Sequence, residues 1–467
     1  MKDWPFKVVR RGQAGYEEAR TGACWNGRVP DRYPELIAFP ERNEHVQLAV
    51  KYAKSIGMQV SAKSGGHSWQ ASFLREGSLL LDMVKMNVVK FDVAKQTALV
   101  QTAAHGADIN NALLPHGLMF PAGHCPSVGI GGFLLQGGFG WNSRAWGVAC
   151  ESVLAIDVVT ADGQLIHADD KQNSDYYWAA RGAGCGYFGI VTNFYLTLKK
   201  LPNGIMSSRY ILPIECLDEL FLSLEKVAHN FPRSLEVGCF IGRDQDGFKE
   251  PTIAFYGDAL SETEEEARYG FQLMDDLPVV KKAHHSTTFV PCTLADMLKR
   301  FDDLLDNAGL RYEANNFWTD APMKNLLPKV HDIVENLPPA PSHLYLFWWY
   351  PDRKPSDMAF SMQSNVWMSL YAIGQDPAKD KENNRYVVDK IKAMESYSKG
   401  TQLADENLFG HPAKFMQPEN FERLEKMRMK HDPRGRFFGH PRIPPEFEEI
   451  KAKIESQEGS SIKAARL

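Results

Sequence analysis

Residues 121–141, PAGHCPSVGIGGFLLQGGFGW, place seven glycines and one cysteine in 21 positions, and residues 182–189, GAGCGYFG, repeat that density on a smaller scale. Glycine loses more conformational freedom on folding than any other residue and offers a helix or strand no side chain to pack. Runs this dense belong where the backbone passes very close to something flat or bulky. The same composition also suits a packing loop around a buried thiol. A third stretch, Ser64-Gly65-Gly66-His67-Ser68, follows a predicted strand. Its small side chains let backbone N–H groups converge on an anion, although two glycines equally make a tight turn carrying a surface histidine.

The cluster at 182–189 superficially matches a dinucleotide fingerprint. That motif needs a strand before it and a helix after it, so that the helix N-terminus meets a pyrophosphate. Here the order is reversed: Tyr176–Arg181 reads as helix and Ile190–Phe194 as strand. A Rossmann reading therefore fails, and no Walker A sequence is present.

Up to about residue 200, helix and strand patterns alternate. Apolar residues at helical spacing predict a helix over Glu44–Lys54 with Asn43 as its N-cap, followed by a short strand Gln59–Ala62. Strand-like runs follow at Ser78–Asp82, Thr97–Thr102, Leu154–Thr160 and Gly189–Tyr195, with short helices at Asp108–Leu114 and Ser174–Ala180. Beyond Leu201-Pro202-Asn203-Gly204, amphipathic helices (Glu215–Asn230, Glu262–Asp276, Leu294–Leu305) separate isolated strands, the clearest being Leu344–Tyr350 and Asn365–Tyr371. Helices grouped against such strands give an α+β class. A last helix from Asn420 stops at Asp432-Pro433, and the final twenty or so residues read as a surface helix and a frayed tail.

A chain of 467 residues, 44% hydrophobic and 24% charged, has room for two or three domains and a core that needs no staples. With 53 basic against 58 acidic residues, its net charge of -5 excludes nucleic-acid binding as a main function. Mean hydropathy is -0.34, and no apolar run is long enough to span a bilayer. The start, MKDWPFKVVRR, has no apolar h-region or small-residue cleavage site. Seven cysteines are scattered without a CxxC pair, so no zinc or other metal centre and no redox pair is signalled. A reduced, cytoplasmic setting is expected, with one odd cysteine left for chemistry.

Taken in order, KSGGHSW (63–69), PAGHCPSVGIGG (121–132), GGFGW (137–141), the strand ended by ADG (161–163) and YYWAARGAGCGYFGIVTNF (176–194) resemble the berberine-bridge-enzyme-like branch of the vanillyl-alcohol-oxidase flavoprotein superfamily. The likeness resumes weakly in NFERLEKMRMKHDP (420–433). It implies a two-domain flavoprotein with a discontinuous FAD domain of the PCMH type. Residues 1–200 and the C-terminal segment 416–467 would form that domain, and residues 201–415 a substrate domain whose antiparallel sheet covers the isoalloxazine. It further implies FAD held by two covalent bonds, from His67 to the 8α-methyl and from Cys125 to ring carbon 6. A neutral imidazole and a thiolate are the nucleophiles such bonds need. Ser64, Gly65, Gly66, Ser68, Pro126, Ser127, Gly131, Gly132, Gly138, Gly189, Ile190 and Val191 would complete the cofactor site. Val128, three residues after the cysteine, stands where family precedent places a gate for dioxygen, valine being permissive. His124 either reaches the active site or is structural.

The resemblance breaks at the proton acceptor. Phe139 aligns with a tyrosine of plant members, and Met368 and Leu370 align with their lysine and glutamine or glutamate. The Y-x-N-Y signature is replaced by Thr401-Gln402-Leu403-Ala404-Asp405-Glu406. Candidate replacements are Tyr371, Tyr350, Asp405 and His440, each also compatible with a structural role. Phe139, Trp348, Met368 and Leu370 are expected to line an apolar pocket. The resulting expectation is an FAD-linked oxidase that takes hydride from an alcohol, or another activated C–H beside a heteroatom, of a small aromatic or apolar substrate, with dioxygen as acceptor. A dehydrogenase, an oxidative cyclase or amine oxidase on the same flavin, and a non-catalytic flavin carrier are the alternatives.

Overall fold

The computed structural model describes residues 4–245, 247–304 and 309–457. Its fold is α+β, built on two main sheets and a two-stranded pair (Leu118–Met119 with Lys199–Lys200) from the first 200 residues, and one large antiparallel sheet from the next 175 or so. The first sheet has the order Val8–Arg10, Leu36–Ala38, Leu79–Asp82, Val60–Lys63, and its last three strands run parallel. The helix Asn43–Ser55 makes the crossover between Leu36–Ala38 and Val60–Lys63. It buries Val46, Ala49, Val50 and Ala53, one face at helical spacing, against Leu36, Leu79 and Leu81. Arg42 rather than Asn43 occupies its N-cap, and no side chain caps it.

The second sheet is antiparallel, in the order Val89–Asp92, Thr97–Gln101, Ile190–Thr197, Val153–Val159, Leu165–Ala168. Ile190–Thr197 is its centre, paired on both sides, and six of its eight residues are buried, the polar Thr192 and Asn193 among them. The glycine cluster 182–189 therefore joins the helix Ser174–Ala180 to the middle of a sheet.

The third sheet has seven strands, in the order His285–Pro291, Gly204–Pro213, Thr252–Ser261, Leu235–Gly242, His343–Trp348, Val366–Gly374, Arg311–Thr319. Helices Leu217–Val227, Glu264–Asp275, Met323–Glu335 and Asp380–Lys392 cover one face, contributing Phe221, Phe271, Val330 and Ile391 to a shared core. Strand side chains alternate between faces, so Met368, Leu370, Leu346 and Trp348 go into that core. Trp367, Tyr371, Tyr345 and Phe347 go to the opposite face, toward the first two sheets.

This corrects the expected pocket. Met368 and Leu370 are fully buried beneath helices, and Trp348 packs edge-on at 5.5 Å against Phe221. Aligning the strand one residue out of step exchanges every inward and outward side chain. The strand expected to reach Tyr350 stops at Trp348: the N–H groups of Trp349 and Tyr350 both donate to the Asn365 carbonyl, and Tyr350 takes a φ of 45°. The Tyr350 ring lies against the helix-covered core.

The C-terminal helices Pro418–His431 and Pro445–Gln457 return to the first half. Phe421, Leu424 and Phe447 share a core with Phe188, Tyr176 and Ile156. Val60 N–H donates to the Arg436 carbonyl at 2.8 Å, and the Asp432 carboxylate accepts from the N–H groups of Arg436 and Phe437 where the helix has ended. Phe447 and Ile454 are buried, so the last helix is not wholly a surface element. The expected frayed tail, residues 458–467, and Leu305 at the end of the helix Leu294–Leu304, lie outside the described residues. Among the described residues no helix is long and apolar enough to cross a membrane.

Met368→Ala is expected to cost about 2–5 kcal/mol in stability, the usual range for emptying a buried methionine site, measured by urea unfolding. A loss below about 0.5 kcal/mol would mean that Met368 faces the open side of the sheet.

Candidate functional site

Between the first two sheets and the open face of the third lies a cleft of about 390 Å³. Its floor is made by two glycine loops pressed together. A methyl group on Gly65 would overlap the backbone nitrogen of Gly129, and one on Gly131 would overlap the Thr102 hydroxyl. Gly66, at φ 79°, lies against the Ala23 carbonyl. Ser64 Oγ ties the first loop to the Thr102 carbonyl at 2.5 Å. These glycines are therefore needed for loop-to-loop approach, a role the sequence left open between ring contact and simple packing.

That approach brings His67 and Cys125 to one place. Ser127 Oγ lies 3.1 Å from His67 Nε2 and 3.6 Å from Cys125 Sγ. Trp25 stacks on the His67 ring with centroids 4.8 Å apart. Burial, helped by His105, pushes the His67 pKa down to about 3, so its imidazole is neutral at any ordinary pH. Ser64, Gly65, Gly66, Ser68, Val128, Gly131, Gly132, Gly189, Ile190 and Val191 all line the cleft. Pro126 and Gly138 lie behind it: the Pro126 carbonyl accepts from Ala107 N–H, and Gly138, at φ 81°, packs against Ala149 and Phe133.

The upper wall carries a hydrogen-bonded tyrosine and carboxylate. Tyr371 Oη donates to Asp405 Oδ2 at 2.9 Å, and the Trp69 indole N–H donates to the other oxygen of the same carboxylate. Tyr371 comes from the open face of the large sheet and Asp405 from the short turn Leu403–Asp405. The chain leading into that turn is fixed because Asn316 exchanges hydrogen bonds with the backbone of Gln402, at 3.0 and 2.8 Å. Burial raises the Asp405 pKa above the ordinary carboxylate value even against its two donors. Burial and the adjacent carboxylate hold Tyr371 well above the ordinary phenol value.

The other two candidate bases are elsewhere. Tyr350 lies on the far side of the sheet, and His440 stands behind the 182–189 cluster. His440 Nε2 donates to the Ala183 carbonyl at 2.9 Å, its ring lies 4.1 Å from Phe415, and burial drives its pKa down to about 3. This half-buried imidazole packs the C-terminal segment against the glycine cluster. Phe139 does line the cleft, wedged between Trp318 and Trp349 at 5.3 and 4.9 Å.

Sequence reasoning missed Trp69, Trp367, His343, Tyr345 and Glu236, all on the cleft wall. Correct strand alternation would have found Trp367. Glu236 had no local signal: its Oε2 pairs with His124 Nε2 at 2.8 Å and its Oε1 accepts from Asn142 N–H at 2.7 Å, partners about a hundred residues away.

A family model for the FAD binding domain matches residues 34–169. The FAD-linked oxidoreductase nodO of Hypoxylon pulicicidum is 30% identical over 429 residues, covering 91% of this chain and 94% of that protein. The 6-hydroxy-D-nicotine oxidase of Arthrobacter nicotinovorans shares the fold with a TM-score of 0.82 at 21% identity, over 95% of this chain and 98% of that one. Phl p 4, a grass pollen allergen with glucose dehydrogenase activity, has a TM-score of 0.75 at 20% identity, over 94% of this chain and 96% of its own. A variant of Phl p 4 with valine in place of one isoleucine is a glucose oxidase.

Beside Asp405, Glu406 is buried with its carboxylate taking the Leu408 N–H, and burial raises its pKa from 4.5 to about 7 although Arg75 and Arg32 oppose the shift. The folded chain thus keeps a proton that the unfolded chain has released. Glu406 by itself therefore contributes a loss of about 3 kcal/mol in stability as pH rises from about 4.5 to about 7, against the opposite contribution of His67 and His440. Urea unfolding of the wild type and Glu406→Gln across that window checks it: the variant should lack this loss, and the same pH dependence in both would contradict the assignment.

Proposed function

The chain belongs to the FAD-linked oxidoreductases, and from that premise we propose that it is a member of the berberine-bridge-enzyme-like branch of the vanillyl-alcohol-oxidase flavoproteins and an oxidase of a small aromatic or apolar alcohol, with FAD attached through both His67 and Cys125 and dioxygen as acceptor. Residues 1–200 and 416–467 act as the cofactor body and residues 201–415 as the substrate body in this reading.

The fit of a flavin to the cleft has three supports in this chain. The floor is backbone, which suits a flat ring and a diphosphate. His67 is a neutral imidazole within reach of a hydroxyl shared with Cys125. Trp318 Nε1 and Gln402 Oε1, on the cleft wall, are buried without a hydrogen-bond partner among the described residues, and a buried polar atom left so is costly unless a bound group supplies one. When bound, the flavin supplies the hydride acceptor.

The observation that carries the reading is the Tyr371–Asp405 pair. A substrate hydroxyl placed against Tyr371 Oη gives its proton to that oxygen while Tyr371 passes its own along the 2.9 Å bond to Asp405. The Trp69 indole steadies the carboxylate that receives it. Aromatic walls from Trp367, Tyr345, Phe139 and Trp349 exclude water and favour a flat, apolar donor over a sugar. With a proton acceptor available, the flavin-carrier reading loses the absence on which it rested. Val128 lines the cleft, and the oxidase activity of the Phl p 4 valine variant favours oxidase over dehydrogenase for a chain with valine at its expected gate.

Anaerobic bleaching of the flavin by a panel of alcohols, phenols and amines tests this. Asp405→Asn and Tyr371→Phe are each expected to slow bleaching by about 10²–10⁴-fold with flavin content unchanged. Asp405 accepts a proton only when ionised, so the wild-type rate should rise with pH through a value above the ordinary carboxylate range. That limb should vanish in Asp405→Asn. Bleaching at the wild-type rate in both variants would defeat the proposal.

A further inference from the structure

The hydroxyl between His67 and Cys125 has a use that neither turnover nor loop packing accounts for. We propose that Ser127 is the positioning residue for covalent attachment: its Oγ accepts the Nε2–H of His67 and donates its own proton to Cys125 Sγ, presenting both nucleophiles at once. The inference rests on the two-bond attachment proposed above.

Hydrogen-bond direction decides the chemistry. His67 is neutral, so only one ring nitrogen carries a proton. If Ser127 donated to Nε2, the proton would be on Nδ1, which would then have no lone pair to form a bond, and Cys125 would lose a donor. With Nε2–H donating to Ser127, Nδ1 keeps its lone pair for bond formation and the serine proton turns to sulfur, at 3.6 Å, where it favours the thiolate. One oxygen thus serves both partners, and each orientation supports the other.

The fold holds this line of atoms rigid. Ser127 lies in the turn closed by Val128 N–H to the Cys125 carbonyl at 3.3 Å. Residues on both sides are pinned to the start of the helix Gly106–Leu113: Ala107 N–H to the Pro126 carbonyl and Gly106 N–H to the Val128 carbonyl, both at 3.1 Å. His67 is clamped by Trp25 on its face and by the Gly65–Gly129 contact beneath its loop.

Each attachment is a two-electron oxidation. At His67 the Nδ1–C8α bond forms, one methyl C–H bond breaks, and the second proton leaves from Nε2 through Ser127. At Cys125 the Sγ–C6 bond forms as the thiol proton and the C6 proton leave. Each pair of electrons passes through the ring to dioxygen, which with the two protons becomes hydrogen peroxide, one per bond.

The test compares Ser127→Thr, which keeps the hydroxyl, with Ser127→Val, which has the same shape without it. Both are purified with FAD, precipitated in acid and mapped by peptide mass, alongside the wild type and the single His67→Ala and Cys125→Ala variants. The expected result is doubly attached flavin in the wild type and Ser127→Thr. Ser127→Val should have at least tenfold less, with the Cys125 bond recovered on incubation at alkaline pH in air, where solvent ionises the thiol. Equal double attachment in Thr and Val, or equal loss in both, would overturn the role of the hydroxyl while leaving two-bond attachment standing. A wild type without acid-stable flavin would overturn both.

Discussion

Everything in the cleft depends on how closely two stretches of backbone touch. Gly65 and Gly129 meet at a distance that no side chain allows, and Gly131 presses on Thr102 in the same way. That contact puts the 63–69 and 123–132 loops in a fixed relation, and with them His67, Ser127 and Cys125. Two nucleophiles from loops nearly sixty residues apart become neighbours because the chain gives up side chains between them. The entropic cost of so many glycines is met by the packing of the sheets beneath: Ile190–Thr197 at the centre of one and Leu79–Asp82 inside the other are almost wholly buried.

The large sheet supplies the opposite wall and solves a different problem. One face is a core under four helices while the other lines the cleft, and strand alternation does both at once. Along Val366–Gly374, Met368 and Leu370 build stability as Trp367 and Tyr371 build the site. Tyr371 is hydrogen-bonded to Asp405, which arrives on a turn tied to the sheet by Asn316. The site is thus shared by three parts of the chain that no local motif joins.

That division explains what could be read from residues alone. The glycine loops, His67 and Cys125 are local patterns, and the helix Ser174–Ala180 was readable to its ends. Tyr371 and Asp405 are legible as candidates, but their pairing is not, because they stand 34 positions apart with nothing between them that reports it. Met368 and Leu370 stand one residue out of step with the family alignment, a shift that in a strand reverses every side chain, and Trp348 takes the core side of its own strand by the same alternation. Tyr350 and His440 had suitable chemistry but lie on the far side of the sheet and behind the glycine cluster. Glu236 meets His124 only through the packing of the two halves.

The central claim is that this cleft holds a flavin bonded to the chain on both loops. Acid precipitation of the purified protein, followed by its absorbance spectrum and intact mass, tests that claim most directly. The expected result is a yellow pellet whose mass exceeds that of the polypeptide by one FAD less four hydrogens, two for each bond, and whose digest gives a single cross-linked species containing the His67 and Cys125 peptides. A colourless pellet, with all of the flavin in the supernatant, would contradict it.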